Sequence, residues 1–473
     1  MALELYDTMR RETVPFSPLE PGVVRLYTCG PTVHDFAHIG NLRTFVQEDL
    51  LRRVLEARGY DVVQVMNITD VDDKIIRKAK TAGVSIGEFT AGYTEKFFED
   101  LDALRVERVE HYPAATGHID EMVALVERLT ERGHTYATDD GSVYFRIVSF
   151  PDYGKLSRID LSEMEDGARV ESDEYGKEDP KDFALWKAAK PEEASWETPL
   201  GRGRPGWHLE CSAMAMAYLG ETIDLHVGGV DLIFPHNENE IAQSEGATGK
   251  PFSRYWLHAE HLIVEGQKMA KSLGNFLTLR DLLERGHRPR QIRYLLLSAP
   301  YRTQLNFTFE GLDQAAAALE RLGDFVDRLG SLPEGEGASP ALAERTREAR
   351  EAFDAALDDD LNTSRALGAV FEWVRDVNRA IDEGNVTTAD RPGLEGFLEA
   401  FDRVFDVLEP DPGEEDLSDE IEALIEERER AREERDFERA DAIREELAGR
   451  GIVLEDTPEG VRWKRVGAGR PAP

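Results

Sequence analysis

The stretch "YTCGPTVHDFAHIGN", Tyr27 to Asn41, joins a β-rich run to a long amphipathic helix, and it decides the fold. Upstream, "VVRLYTC" (Val23–Cys29) reads as a short strand. Downstream, His38 to Arg58 carries Ile39, Leu42, Phe45, Val46, Leu50 and Val54 at helical spacing, and Gly59 stops it. "YDVVQVMNIT" (Tyr60–Thr69) is a second buried strand, and "DVDDKIIRKAKTAG" starts a second helix behind aspartate caps. Strand, helix, strand, helix predicts a parallel sheet with ligands beyond the C-terminal ends of its strands. His38-Ile39-Gly40-Asn41 sits at that end. A helix N-terminus, an imidazole and a glycine that admits close backbone approach suit a phosphate. Taken alone, these four residues read more plainly as an ordinary capping turn.

Outward from this unit the pattern changes. A helix (Ile119–Arg132), a hairpin-like region (Thr135–Phe145) and an acidic polar stretch (Asp160–Asp182) read as an insertion. "TIDLHVGG" then resumes a buried strand and "PHNENEIAQSEGA" a helix, so the sheet closes after the insertion. Past Gly311 the chain is helical and rich in Ala, Leu and Glu, and it is broken by the linker "GSLPEGEGASP". Ser418 to Val466 reads as helices followed by a hairpin across "TPEG".

At 473 residues the chain exceeds one core, and two to four domains are expected. No apolar run approaches the ~18 residues of a membrane span, and "MALELYDTMRRE" lacks the apolar core of a signal peptide. The expectation is a soluble cytoplasmic protein. Basic residues number 57 and acidic ones 94, a net charge of −37. Such a balance argues against nucleic-acid binding on its face. The acids, however, are spread along the whole chain and Arg outnumbers Lys roughly three to one, a pattern that reads as adaptation to high salt. At 1 M salt the screening length is about 3 Å, so global charge does not exclude an RNA partner.

"KMAKSLGN" (Lys268–Asn275) places two lysines three apart among small residues beside a glycine. A mobile cationic loop of this kind can clamp a triphosphate as negative charge builds on it. An exposed basic loop is the plainer reading of that octapeptide alone. Together, and in this order, the two segments resemble the paired signatures of class I aminoacyl-tRNA synthetases, His-Ile-Gly-His and Lys-Met-Ser-Lys-Ser. Asn41 stands for the second His and Ala270 for the first Ser. The chain's two cysteines are Cys29 and Cys211, the latter in "GWHLECSAM", and "FPHNENE" offers His236 and Glu240 four apart on one helix face. Two thiolates, an imidazole and a carboxylate form a tetrahedral zinc set. Singly, each is an ordinary buried Cys, helix-start His or surface Glu, and the two cysteines also allow one disulfide.

The whole set resembles the cysteinyl-tRNA synthetase family. "NITDVDDKI" (Asn67–Ile75), "GWHLECSAMA" (Gly206–Ala215), "DLHVGGVDLIFPHNENEIAQSE" (Asp224–Glu245), "DDDLNTSRAL" (Asp358–Leu367) and "ADAIREELAGRGIVLEDTPEGVRW" (Ala440–Trp463) fall where that family has its blocks. The resemblance implies a Rossmann-like α/β catalytic domain in two halves (1–115 and 221–310) around a connective insertion (116–220). A helical bundle (311–410) and a small α+β anticodon-binding domain (411–473) follow. It implies ATP-dependent ligation of L-cysteine to tRNA(Cys), with one Zn2+ per chain on Cys29, Cys211, His236 and Glu240, and Mg2+ accompanying ATP. His38, Asn41, Lys268 and Lys271 are then the catalytic group, joined by Gly40 and Ser272 in holding ATP. Thr69, Trp207, His226 and Asp231 line the amino-acid and adenosine pockets. Arg432, Asp441 and Asp456 fall in the anticodon-reading blocks, where a solvated charged face is the plainer alternative. A monomer with no membrane partner is expected, and the insertion is too short for a large editing domain. Two neighbouring readings are a cysteine ligase acting on an amino-sugar, which lacks the anticodon-reading segment, and a non-catalytic RNA-binding relative. A structural protein with one disulfide is the third.

Overall fold

The computed structural model describes residues 2–159, 179, 181–190, 193–411, 414–449, 452–457 and 460–465. Strands β1 (Glu4–Asp7) and β2 (Glu12–Pro15) pair antiparallel and lead into β3 (Val23–Thr28). Helix α1 (Ile39–Ala57) is capped by His38, whose side chain accepts the Asn41 N–H while the Asn41 side chain accepts the His38 N–H. Gly59, at φ +84°, turns the chain into β4 (Asp61–Met66). Asp72 caps α2 (Asp73–Ala82), and a Ser85–Glu88 capping box starts α3 (Ile86–Ala103).

Helix α4 (Ile119–Glu131) opens the central region. There β5 (Thr135–Ala137), β6 (Val143–Phe145), β7 (Phe183–Ala188), β8 (Trp196–Thr198) and β9 (Gly201–Pro205) form an antiparallel sheet ordered β5-β6-β7-β9-β8. Thr135 faces Phe145 across the first hairpin. Most of the acidic stretch expected at 160–182 lies outside the described residues. Helix α5 (Trp207–Leu219) follows, then β10 (Ile223–Gly229), a π-helical turn (Ile233–Asn237), α6 (Glu238–Thr248) and β11 (Ser253–Ala259). Although α5 lies by number inside the expected 116–220 insertion, its Cys211 and Ala215 pack with Tyr27, Cys29 and Ile241.

The parallel sheet runs β11-β10-β3-β4, every pair parallel. All seven residues of β10 are buried, as a strand covered on both faces requires. The chain leaves β3 toward β4 through α1, whereas β10 lies on the other side of β3. Strand order therefore reverses between β3 and β10, and the cleft opens at their C-terminal ends. Strands β12 (Leu262–Val264), β13 (Gln267–Lys268) and, after α7 (Leu279–Glu284) and α8 (Pro289–Leu297), β14 (Leu305–Phe307) make a small second sheet. Helices α9 (Phe309–Gly330), α10 (Pro340–Asp358), α11 (Thr363–Asp382) and α12 (Arg391–Phe405) form the bundle.

One apolar cluster runs from Val24 and Leu26 through Val46 and Leu50 to Leu296, Phe325, Trp373 and Phe401, so the bundle packs on the α1 side of the sheet. Beyond it, α13 (Glu414–Glu433), α14 (Phe437–Gly449) and the antiparallel pair β15 (Ile452–Thr457) and β16 (Gly460–Arg465) share a small core of Ile421, Ile425, Ile443, Leu447 and Ile452. Pro458 and Glu459, the centre of the expected "TPEG" turn, lie outside the described residues. Among the described residues no helix is long and apolar enough to cross a membrane.

Candidate metal centre and nucleotide cleft

Four elements deliver four ligand atoms to one point. Cys29 follows the last residue of β3, Cys211 lies on the second turn of α5, His236 is near the end of the π-helical turn, and Glu240 is in the first turn of α6. All four are buried, and one ligand atom from each lies within 4.8 Å of the others. His236 Nε2 is 3.3 Å from Cys211 Sγ and 3.1 Å from Glu240 Oε1, which in turn lies 3.8 Å from Cys29 Sγ. Tetrahedral ligands on zinc stand about 3.3–3.8 Å apart, so the donor set fits that ion in type and spacing. Both cysteines are free thiols, which removes the disulfide reading.

A second layer holds these donors. His208 Nδ1 lies 2.9 Å from His236 Nδ1, which leaves Nε2 facing the sulfurs. His226 Nε2 is 2.9 Å from Glu240 Oε2, and Asn237 Nδ2 donates to Glu240 Oε1 at 2.8 Å. Asn237 Oδ1 is 3.0 Å from His258 Nε2. The electrostatics are those of buried anions beside one imidazole. Contact with Cys29 lowers the Cys211 thiol to about 6 against the opposing effect of burial, with His236 helping, and the Cys29 thiol is pushed up by that same contact and by burial. Burial alone would raise Glu240, but His226 and His236 bring it well below the usual carboxylate range.

The nucleotide signatures meet at the N-terminus of α1. The His38 ring packs edge-on against Phe276 at 5.3 Å, and burial lowers its pKa. A Cβ on Gly40 would stand 3.0 Å from His38 Cε1 and 3.3 Å from Met269 Cε, so a side chain there would press the two segments apart by a few tenths of an ångström. The Lys268–Ser272 loop is closed by Asn275, whose Oδ1 accepts the Ala270 N–H and whose Nδ2 donates to Lys268 O. That closure is backbone-directed, so a side chain without a hydroxyl at position 270 leaves it intact. Lys268 and Ser272 are exposed. Lys271 Nζ lies 2.7 Å from Asp35 Oδ2 and 4.8 Å over the Phe276 ring.

The remaining candidates fall in three places. Trp207, 40% exposed, lies at the rim with its ring 4.4 Å from that of His236. Asp231 follows β10; a Cβ on Gly229 would stand 2.5 Å from its Oδ1, and its charge acts on His38. Thr69 and His226 are buried within hydrogen-bond networks: Thr69 donates to Glu210 Oε2 at 2.9 Å, and His226 stacks on Trp256 at 4.3 Å. Arg432 and Asp441 lie exposed on α13 and α14, remote in sequence and fold from the cleft, and Asp456 is on β15 opposite Val461.

Sequence reasoning missed His208, Asn237, His258, Glu210 and Asp35. His208 had a signal, being one helical turn ahead of Cys211. Asn237 stands three residues before Glu240, to which it donates, whereas His258 had no signal, because its partners Asn237 and Thr8 come from other elements.

Comparison with known proteins gives the family. Residues 15–317 match the class I (C) tRNA synthetase catalytic domain, 352–409 the DALR domain, and 414–463 the cysteinyl-tRNA ligase anticodon-binding domain. The chain is 57% identical to a cysteine–tRNA ligase of Solibacter usitatus over 98% of this chain and all of that one. It is 49% identical to that of Chlamydia pneumoniae over 98% of each. Among solved structures, Mycobacterium tuberculosis methionyl-tRNA synthetase bound to methionyl-adenylate aligns with a TM-score of 0.60 at 16% identity, covering 82% of this chain and 88% of that one, a likeness of fold. With a catalytic-domain match over well more than half its length and full-length relatives near half identity, the chain belongs to the cysteinyl-tRNA ligase family of class I aminoacyl-tRNA synthetases.

Proposed function

We propose that the chain ligates L-cysteine to tRNA(Cys) in two steps. The cysteine carboxylate attacks the α-phosphorus of ATP to give cysteinyl-adenylate and pyrophosphate. A ribose hydroxyl at the tRNA 3′ end then takes the cysteinyl group and releases AMP. The observation that carries this reading is the meeting of Cys29, Cys211, His236 and Glu240 beside the two nucleotide signatures. These four residues hold one Zn2+, and the chemistry the ion supplies there is that of a soft acid for a substrate thiolate. A serine hydroxyl is harder and far less acidic. A site built on one strong polar contact rejects an analogue lacking it by roughly 10⁴–10⁵.

The chain's own residues supply positioning and charge. His38 contacts the ATP phosphates, Gly40 keeps the backbone close to the nucleotide, and the Asn41 amide donates from the cap of α1. Lys268, Lys271 and Ser272 act on the β/γ side, with Mg2+ accompanying ATP. Trp207 walls the amino-acid pocket, and Thr69 and Asp231 bound it. His226 holds Glu240 in place. Arg432, Asp441 and Asp456 serve anticodon reading, where Arg suits guanine and carboxylates suit the amino groups of C and A. The enzyme works as a cytoplasmic monomer, and the acidic excess supports operation in high salt. Cysteine-dependent pyrophosphate exchange, with zinc content measured on the native protein, tests the reading. Exchange should be lost on chelation and one zinc found per chain; exchange with serine at a comparable rate, or a metal-free active protein, would refute it.

A further inference from the structure

Arg43, on the second turn of α1, is only 1% exposed, and among the described residues no carboxylate pairs with it. Its guanidinium faces four backbone carbonyls instead. Nη1 donates to the Glu260 carbonyl at 2.7 Å and to that of His261 at 3.3 Å. Nη2 donates to the Thr303 carbonyl at 2.6 Å and to that of Pro300 at 3.2 Å. Burial lowers its pKa to about 10, against the opposing charge of Glu260. Burying a cation without a counter-charge is unfavourable, so the fork of donors has to be the reason for an arginine here. The two pairs of carbonyls lie where the chain enters the small second sheet. Glu260 and His261 precede β12, Pro300 and Thr303 precede β14, and these strands pair in parallel from Leu262 opposite Leu305. Strand β12 turns back through β13, where Lys268 faces Ile263. The Lys268–Asn275 loop therefore grows from a sheet whose root is fastened to α1. Its far end is fastened to the same helix, since the Ile39 N–H donates to the Leu277 carbonyl at 2.9 Å.

We infer that Arg43 is a positioning residue for adenylate formation: it sets the loop lysines at a fixed distance from the N-terminus of α1 without touching substrate. The inference rests on the ligase reading above. In that reading His38 at the helix cap and Lys268 and Lys271 on the loop act on one triphosphate, so the two supports have to stay in register. A step that works by positioning is sensitive to this, because a displacement of about 1 Å arising far from the chemistry lowers a rate by up to about 10²-fold. Lysine keeps the charge of Arg43 but is a compact ammonium on a flexible stem, and it does not reproduce a planar fork that spans two chain segments.

The test compares the full-length wild type with Arg43→Lys and with Arg43→Gln. The second variant removes the buried charge and keeps an amide donor, so it folds even where the lysine does not. Arg52→Met is the control for lost stability, because Arg52 is bonded to Glu107 and Glu110 farther along α1. Both Arg43 variants should lose roughly 10- to 10²-fold in kcat for cysteine-dependent pyrophosphate exchange, with KM for cysteine and zinc content within about twofold of wild type. Trypsin, in the absence of substrates, should cut after the exposed Lys268 and Lys271 several-fold faster in them than in wild type. Arg52→Met should lower the thermal midpoint and produce neither change. Exchange within about twofold of wild type in either Arg43 variant would overturn the inference. So would unchanged cleavage of the loop, or a fall in kcat that Arg52→Met reproduces at the same thermal midpoint, either of which would leave Arg43 as a staple of the fold. The cleavage arm needs neither cysteine nor ATP. A wild type without exchange whose loop is nevertheless freed in the Arg43 variants would keep this joint and lose the activity proposed above.

Discussion

Asn41 and Ala270 stand where the class I signatures carry His and Ser, and both fit their surroundings. Asn41 gives its carbonyl oxygen to the His38 N–H and keeps its amide N–H groups, while Ala270 is held by Asn275 through its backbone. Of the loop lysines, Lys271 is paired with Asp35 in this structure, and the proposed reading gives it the developing phosphate charge. Lys271→Ala should lower the pyrophosphate exchange rate by roughly 10²–10³ with little change in KM for cysteine, because the lysine acts on charge developing in the transition state. A mutant with an unchanged exchange rate would remove Lys271 from the mechanism. Glu48, on α1, tests a different property. Only 1% exposed, it has no hydrogen-bond partner for either carboxylate oxygen among the described residues, and burial raises its pKa well above 4.5. The folded state thus favours the protonated acid. Its contribution is fully present below about pH 4.5 and is lost as pH rises toward the folded pKa, by at most about 1.4 kcal/mol per pH unit. Glu48→Met should match wild type near pH 4 and exceed it in stability at pH 8. A difference that does not change with pH would contradict this account of Glu48.

Among the elements, those with local signals were readable in the sequence. The periodic run from Ile39 to Val54 became α1 with His38 as its cap, and the His236/Glu240 pair lies on one face because their spacing is four. The central sheet was only half legible. Strand β6 pairs with β7 across almost forty residues, Phe145 facing Phe183, and strands of three to six residues carry no mark of so distant a partner. The same limit hid the joint between the bundle and the catalytic domain. Arg293 on α8 is fully buried; it donates to Asp49 on α1, to the Phe405 carbonyl ending α12 and to the Leu104 carbonyl after α3. Arg293→Met leaves Asp49 facing only Arg53 and the Glu107 N–H and strips the Phe405, Leu104 and Arg105 carbonyls of a donor. Removing one partner of a buried pair costs roughly 3–5 kcal/mol. The denaturation midpoint should drop accordingly, whereas an exposed arginine such as Arg375 replaced by Met should shift it little. Equal effects at the two positions would mean that this joint carries no special share of stability.

On the scale of the whole molecule, the acidic excess works against the compact state. Many arginines are spent inside the fold or in local pairs, as Arg52, Arg53 and Arg347 are with neighbouring carboxylates, so the surplus of negative charge is left to solvent. Self-repulsion of that surplus acts over a screening length of about 10 Å at 0.1 M salt and about 3 Å at 1 M. Stability should therefore rise steeply with KCl at the low end and level off near 1 M, once neighbouring carboxylates no longer sense one another. Exposed ion pairs weaken over the same range, but each is worth only about 0.2–1 kcal/mol, too little to reverse the sign at net −37. The measurement is the thermal midpoint from about 0.05 to 3 M KCl, with KM for tRNA followed in parallel. Salt that strengthens the fold also weakens phosphate contacts. An enzyme suited to high salt must then rely on few of them. A thermal midpoint that stays flat or falls with KCl, or a tRNA affinity that collapses over that range with a steep power law, would show that the acidic surface is not an adaptation to salt.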